Sequence, residues 1–139
     1  MPRPVPEQFQ LEIVTPTKVI DCGMVNYLRA PSDDGLFGVL PGHTRAMISL
    51  AVGEIKVTAG GSDRFFATNG GYADIHPDSV QLLVETAEEA SDIDSARAKS
   101  AAGRAEERVH DQAEGIDNAR AEAALQRAAN RLSVAGRIS

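Results

Sequence analysis

A single cysteine, Cys22, stands in a chain of 139 residues. It cannot close an internal disulfide, and it has no thiol companion for a cysteine-based metal site. Its plain reading is a small buried hydrophobe, and a reducing compartment is the natural inference. Tryptophan is absent, and the other aromatics are four Phe and two Tyr. An excess of positive charge is missing too: 14 Lys and Arg against 20 Asp and Glu leave a net charge of -6, with a pI near 5.0. That excludes general nucleic-acid binding, which needs a basic footprint. No apolar run approaches the roughly 18 to 20 residues of a membrane-spanning helix. The N-terminal Met1-Pro2-Arg3-Pro4-Val5-Pro6 has no apolar signal core and no Arg/Ser-rich transit pattern, so a cytoplasmic protein is expected. What is there, 42% hydrophobic residues, suffices for a core in one ordinary domain or two small ones.

The two halves follow different rules. All seven prolines lie at or before Pro77, every Phe and Tyr at or before Tyr72, and nine of the twelve glycines at or before Gly71. Residues 1–90 hold 12 acidic and 6 basic side chains, whereas residues 91–139 hold 8 of each. The first half reads as short strands. Phe9-Gln10-Leu11-Glu12-Ile13 alternates apolar and polar, and Ile55-Lys56-Val57 and Val80-Gln81-Leu82 continue that period of two. Turn residues recur at Asp33-Asp34-Gly35, Pro41-Gly42, Gly60-Gly61, Asn69-Gly70-Gly71 and Pro77-Asp78. Strands at this spacing, with no helical stretch between them, predict an antiparallel sandwich or barrel. The boundary should fall between Glu88 and Ser91, giving a β domain over 1–88 and a helical part over 89–139.

The second half reads as two helices. Ser91-Asp92-Ile93-Asp94 is a helix-start signal of the capping type. The first helix should reach about His110, Gly115 should mark the turn, and the second should end near Gly136. So short a connection makes the pair antiparallel. The hairpin repeats itself at an offset of 23 residues, Ile93-Asp94-Ser95-Ala96-Arg97-Ala98 returning as Ile116-Asp117-Asn118-Ala119-Arg120-Ala121. At about 100° per residue, Ala98, Ala101, Ala102, Ala105 and Val109 form one apolar stripe. Ala121, Ala124, Leu125, Ala128 and Leu132 form its counterpart. Arg97, Arg104 and Arg108 flank the first stripe, and Arg120, Arg127 and Arg131 the second, so both rows should line one groove. Arginine forks grip phosphate oxygens bidentately, and such a groove suits a polyphosphate. The plainer reading is a solvated helix face, with Glu106, Glu107 and Glu122 at hand to pair with the arginines. Asp94 has its own plain reading as a capping carboxylate.

The stripe is made of alanine. Alanine has the highest intrinsic helicity but buries little area, so each helix can persist while its seating is marginal. Those are the ingredients of a two-state element that a small ligand could bias. Signs of catalysis are slight. His43 has only Ser32 and Asp33 to offer as partners and no hydrolase signature. His76 and His110 have no metal-ligand company at useful spacing. Gly60-Gly61 and Gly70-Gly71 precede no phosphate-binding lysine motif. No catalytic residue and no metal ligand is therefore assigned, although a small β-domain enzyme built on His43 is kept as a contrast.

Gly35-Leu36-Phe37-Gly38-Val39-Leu40-Pro41-Gly42-His43, followed by Leu50 and Gly53, resembles the G-x-F-G-I-L-P-G-H-like segment of the epsilon subunits of bacterial F-type ATP synthase. Leu11-Glu12-Ile13-Val14-Thr15-Pro16 and Ser79-Val80-Gln81-Leu82-Leu83 are similar too, and Ile93-Asp94-Ser95-Ala96-Arg97-Ala98 matches the family's I-D-x-x-R-A motif. The resemblance runs nearly the full length. It implies a ten-stranded antiparallel β-sandwich followed by an antiparallel αα-hairpin, that is, a two-part α+β protein without catalytic residues. It implies a β domain bound to the gamma subunit and the ring of c subunits, peripheral on the cytoplasmic face of the inner membrane. The hairpin would fold on the sandwich, or extend to the alpha and beta subunits of the catalytic head and inhibit ATP hydrolysis. No cofactor is required, but some members bind regulatory ATP on the folded hairpin. Asp94 and Arg97 carry over from the motif, with Glu88, Arg104, Arg127 and Arg131 at corresponding positions. The competing reading is a free-standing nucleotide-sensing module that belongs to no synthase.

Overall fold

The structure, a computed structural model, describes residues 6–111 and 118–138. Ten strands come first: β1 Phe9–Val14, β2 Val19–Val25, β3 Tyr27–Ser32, β4 Gly35–Val39, β5 Ala46–Leu50, β6 Gly53–Ala59, β7 Ser62–Thr68, β8 Gly71–Ile75, β9 Ser79–Val84 and β10 Ala87–Glu89. The alternation read in the sequence sets which side chains go inside. Phe9, Leu11 and Ile13 of β1 are buried, and so are Ile55 and Val57 of β6 and Val80 and Leu82 of β9. Facing residues from both layers, among them Leu28, Val39, Phe66 and Ile75, complete one core.

The strands pair in the order β10-β7-β6-β3-β5-β8-β9-β1-β2, with β4 attached to β3. Strand β3 is where the two layers meet, pairing with β4 and β6 and touching β5 through Ser32 and Leu50. One pairing departs from the all-antiparallel expectation. β1 runs parallel to β9, with Leu11 opposite Val80 and Ile13 opposite Leu82. The chain closes the sandwich by laying its first strand beside its ninth, and pairing of strands so far apart in sequence leaves no mark on local periodicity.

The glycine-rich segment has a physical reason for two of its glycines. A Cβ on Gly38 would lie 2.7 Å from the Tyr27 hydroxyl and 2.9 Å from its ring, so any side chain there would force the Tyr27 ring to move. Gly42 has φ 81°, and the His43 N–H donates to the Leu40 carbonyl at 3.2 Å. Pro41 followed by a positive-φ Gly42 is the pattern of a type II turn.

After β10 a single 3-10 turn at Ala90–Asp92 leads into α1, Ser95–Asp111. The second helix, α2, covers Asn118–Ala135 and ends in a 3-10 turn at Gly136–Ile138. These bounds agree with the expected ends at about His110 and Gly136. The expected turn at Gly115 and the repeat's Ile116-Asp117 lie outside the described residues. The start of α1 differs from the Ser91 reading. Asp94 is the cap, its Oδ1 accepting from the Arg97 N–H at 3.1 Å, while Ile93 is still extended. Ile93 is buried at 6% exposure against the sandwich, and that anchor holds the chain out of helical geometry until it is passed.

The alanine stripes face each other as expected: Ala98, Ala105, Ala121 and Ala128 are buried. Leu132 departs from its stripe, at 36% exposure, because α2 there turns Val134 and Ala135 onto the sandwich instead. Gly103 is exposed within α1, and a Cβ there would meet nothing within 4 Å. Gly103→Ala should therefore stabilise α1 by about 1 kcal/mol. Amide exchange measured across α1 should slow by about fivefold, with the sandwich unchanged.

Candidate functional site

Three segments converge where the hairpin meets the sandwich: the end of β10, the turn before α1, and the later part of α2. Because α1 begins at the Asp94 cap, Arg97, Ala101 and Arg104 fall at helical spacing along one of its faces. Glu88 from β10, Asp92 from the turn, Asp94 from the cap and Arg131 from α2 supply the other walls. Together these seven residues line a cavity of about 450 Å³. Six of the seven are charged, three carboxylates against three guanidinium groups, and Ala101 alone is apolar.

The groups in it differ in how far they are already satisfied. Arg131 closes a two-point pair on Glu88, its Nε donating to Oε1 at 2.7 Å and its Nη2 to Oε2 at 3.1 Å. Those bonds hold the Arg131 guanidinium more firmly protonated than an ordinary arginine, with burial working against them. Asp94 spends one oxygen on the helix cap. Arg97 and Arg104 have no side-chain hydrogen bond or ion pair among the described residues, and both stand exposed at the cavity. A shallower hollow on α1, lined by Ala96, Arg97, Ser100 and Arg104, continues from the same two arginines. An anion can reach these forks without displacing a carboxylate, whereas at Arg131 it must compete with Glu88.

Of the six residues singled out in the sequence, five meet here: Glu88, Asp94, Arg97, Arg104 and Arg131. Arg127 is exposed on α2 and is not among the walls. Arg108 and Arg120, from the expected arginine rows, are likewise exposed elsewhere. Among the described residues, Glu106, Glu107 and Glu122 form no ion pair with any arginine of the hairpin. The wall residue that sequence reasoning missed is Asp92, hidden by its place in what looked like a capping signal.

The seating of the hairpin brings in residues that no local pattern marks. Ala67, Ala90, Ile93, Ala98, Val134 and Ala135 form a small apolar cluster, backed by Phe65. The Asn130 Nδ2 donates to the Gly53 carbonyl at 2.8 Å. Arg137 pairs with Glu54 and lies over the Phe65 ring at 4.9 Å. On the β domain, Arg64 forks onto Glu89 at 2.9 and 2.8 Å, which holds that carboxyl below the usual glutamate range. Cys22 packs against the sandwich core, and burial pushes its thiol pKa up. His43 and Ser32 are engaged apart from one another: the His43 Nδ1 lies 2.7 Å from the Thr44 carbonyl, and the Ser32 hydroxyl donates to the Gly35 carbonyl.

Both halves of the chain match known protein families. Residues 8–90 match the ATP synthase delta/epsilon chain beta-sandwich domain, and residues 91–136 match the long alpha-helix domain of the same chain. The ATP synthase epsilon chain of Syntrophobacter fumaroxidans is 47% identical over 103 residues, covering 74% of this chain and 77% of that one. The epsilon chain of Nitratidesulfovibrio vulgaris is 43% identical over 103 residues, covering 74% of this chain and 77% of that one. In fold, the chain resembles one from the Euglena gracilis mitochondrial ATP synthase OSCP/F1/c-ring structure, at TM-score 0.79 and 24% identity over 89% of this chain and 79% of that one. With both of its parts matched in order and relatives this similar across most of their length, the chain belongs to the epsilon chains of the ATP synthase delta/epsilon family.

Proposed function

We propose that the chain works as the rotor epsilon subunit of a bacterial F-type ATP synthase. It is a non-catalytic stalk subunit. Its sandwich, residues 1–88, grips the gamma subunit and touches the ring of c subunits, so that it turns with them as proton flow drives ATP synthesis. The hairpin, residues 89–139, is the mobile regulatory part. Folded, it rests on the sandwich; extended, it reaches the alpha and beta subunits of the catalytic head and restrains ATP hydrolysis. No cofactor is required. ATP acts as a regulatory ligand of the folded form, held by Glu88, Asp94, Arg97, Arg104 and Arg131. The place of work is peripheral, on the cytoplasmic face of the inner membrane.

The observation that carries this reading is the family match across both parts, 8–90 and 91–136. Two features of the surface support it. Tyr72, Leu83, Val14 and Val19 are register partners in one row across the outer face of β8, β9, β1 and β2. Three of them are exposed, at 56%, 40% and 58% for Tyr72, Leu83 and Val19. Such an apolar row needs a partner protein. Leu36 and Leu40, at 63% and 62% exposure, stand out beside the glycine-rich turn, ready for a second contact.

A pull-down from lysate of the source cells, with this chain as bait, should recover the gamma subunit together with c. A membrane ATPase that assembles and couples normally in cells deleted for this chain would reject the rotor role. Binding of ATP without capture of any synthase subunit would favour the free-standing sensor instead.

A further inference from the structure

Glu54, the second residue of β6, stands in the same register row as Glu88 of the polar cavity, across Ala67 of β7, but is not one of the cavity walls. Its carboxylate is 14% exposed and serves two arginines at once. From the hairpin side, Arg137 takes it with a fork, Nε to Oε2 at 2.8 Å and Nη2 to Oε1 at 3.0 Å. From the sandwich side, Arg29 of β3 reaches it with Nη2 alone, at 2.9 Å from Oε1. Arg29 has a second donor, Nε, that is buried and has no hydrogen-bond partner among the described residues.

We propose that Glu54 is a shared carboxylate that keeps the hairpin only loosely seated, by exchanging its second oxygen between Arg137 and Arg29. A carboxylate offers two oxygens, and the strong arrangement with arginine is the two-point fork. With the hairpin docked, Arg137 has the fork and Arg29 keeps an orphaned donor, whose lost hydration opposes docking. With α2 lifted away, Oε2 is released and can turn to the Arg29 Nε, closing a fork within the sandwich. Glu54 is paired in both states, so the gain from Arg137 on docking is reduced, though not cancelled, by the loss at Arg29. The two arrangements are the two states of a switch element. The device needs neither a nucleotide nor any other subunit, and it acts through residues that the polar cavity does not use. Arg137 is about half exposed, at 49%, so its arm of the pair is the one that salt weakens.

Amide exchange on the full chain alone tests this, read over α2 residues 121–135 with β1 and β9 as the reference in the same sample. Arg137→Ala removes the hairpin's claim on Glu54 and should speed α2 exchange by about two- to fivefold. Arg29→Lys keeps a positive charge beside Glu54 but carries no Nε to orphan, and should slow α2 exchange by about threefold. The opposite signs are the signature. Unchanged α2 exchange in Arg137→Ala overturns the proposal. So does faster exchange in Arg29→Lys, in α2 or in the reference strands, because Arg29 would then be a brace for Glu54 and not its competitor.

Discussion

Replacing Val134 with Asp is expected to release the helical hairpin while the sandwich stays folded. Val134 is fully buried, at 0% exposure, in the cluster that seats α2. Four of the six buried members of that cluster are alanines, Ala67, Ala90, Ala98 and Ala135, and only Ile93 and Val134 bury larger side chains. The apolar gain on docking is therefore small, and no partner in the cluster could satisfy a carboxylate. Burying an unpaired charge costs several kcal/mol, more than so thin an interface returns. The hairpin should leave instead, since its helices keep their alanine-rich propensity without the seat. Amide exchange in α2 should rise by at least about a hundredfold, a change of about 2.7 kcal/mol in opening, with β1, β8 and β9 as protected as before. Leu132→Asp, two residues away but already 36% exposed, should change α2 exchange by less than about threefold. Equal protection of α2 in Val134→Asp and parent would show that the cluster is not the seat. Loss of sandwich protection together with α2 would show that both parts form one cooperative unit, and the regulatory reading of a detachable arm would fall.

Much of this seat was beyond the reach of the sequence, and the reason is distance along the chain. Alternation told which side of β1 faces inward, because the neighbours of Phe9, Leu11 and Ile13 on the strand are enough to define a face. Helical spacing likewise told that Ala98 and Ala105 would be covered. Neither period names the covering partner. Arg131 meets Glu88 across 43 positions, Asn130 meets Gly53 across 77, and Arg137 meets Glu54 across 83. The parallel alignment of β1 with β9 was lost for the same reason. The Ser91 helix start failed on a competing effect: burial of Ile93 outweighed a good capping sequence, so Asp94 caps instead. Leu132 failed on a change of partner. The stripe that faces α1 in the middle of α2 gives way, at the helix end, to Val134 and Ala135 facing the sandwich. Resemblance to a family supplied what periodicity could not for Glu88, which no pattern in the β half distinguishes from Glu85 or Glu89.

The cavity makes the second large prediction: Arg97→Ala combined with Arg104→Ala should weaken ATP binding by at least about a hundredfold. These two guanidinium groups are the ones without a hydrogen-bond or ion-pair partner among the described residues of the cavity. Each charge-assisted bond to a phosphate oxygen is worth about 1.5–3 kcal/mol, so losing two costs about 3 kcal/mol or more. Arg131→Ala should cost less, because that arginine must first give up Glu88, at 2.7 and 3.1 Å, to serve a ligand. Arg108→Ala, exposed outside the cavity, should cost nothing measurable. The same experiment reads the switch. A ligand bound only by the docked hairpin stabilises it by RT ln(1 + [L]/Kd), about 2.7 kcal/mol at a hundredfold excess over Kd. Amide exchange in α2 should then slow by about a hundredfold in the parent when ATP is added at that excess. At the same ATP concentration the double variant, with Kd raised a hundredfold, should slow only about twofold. Calorimetry gives the affinities, and exchange gives the coupling. Heat of binding without any change in α2 exchange would place ATP on the chain but not on the docked state. Absence of both in the parent would remove the nucleotide from this chain's regulation. The hairpin's position would then be set by its alanine cluster, its ion pairs and the subunits it meets.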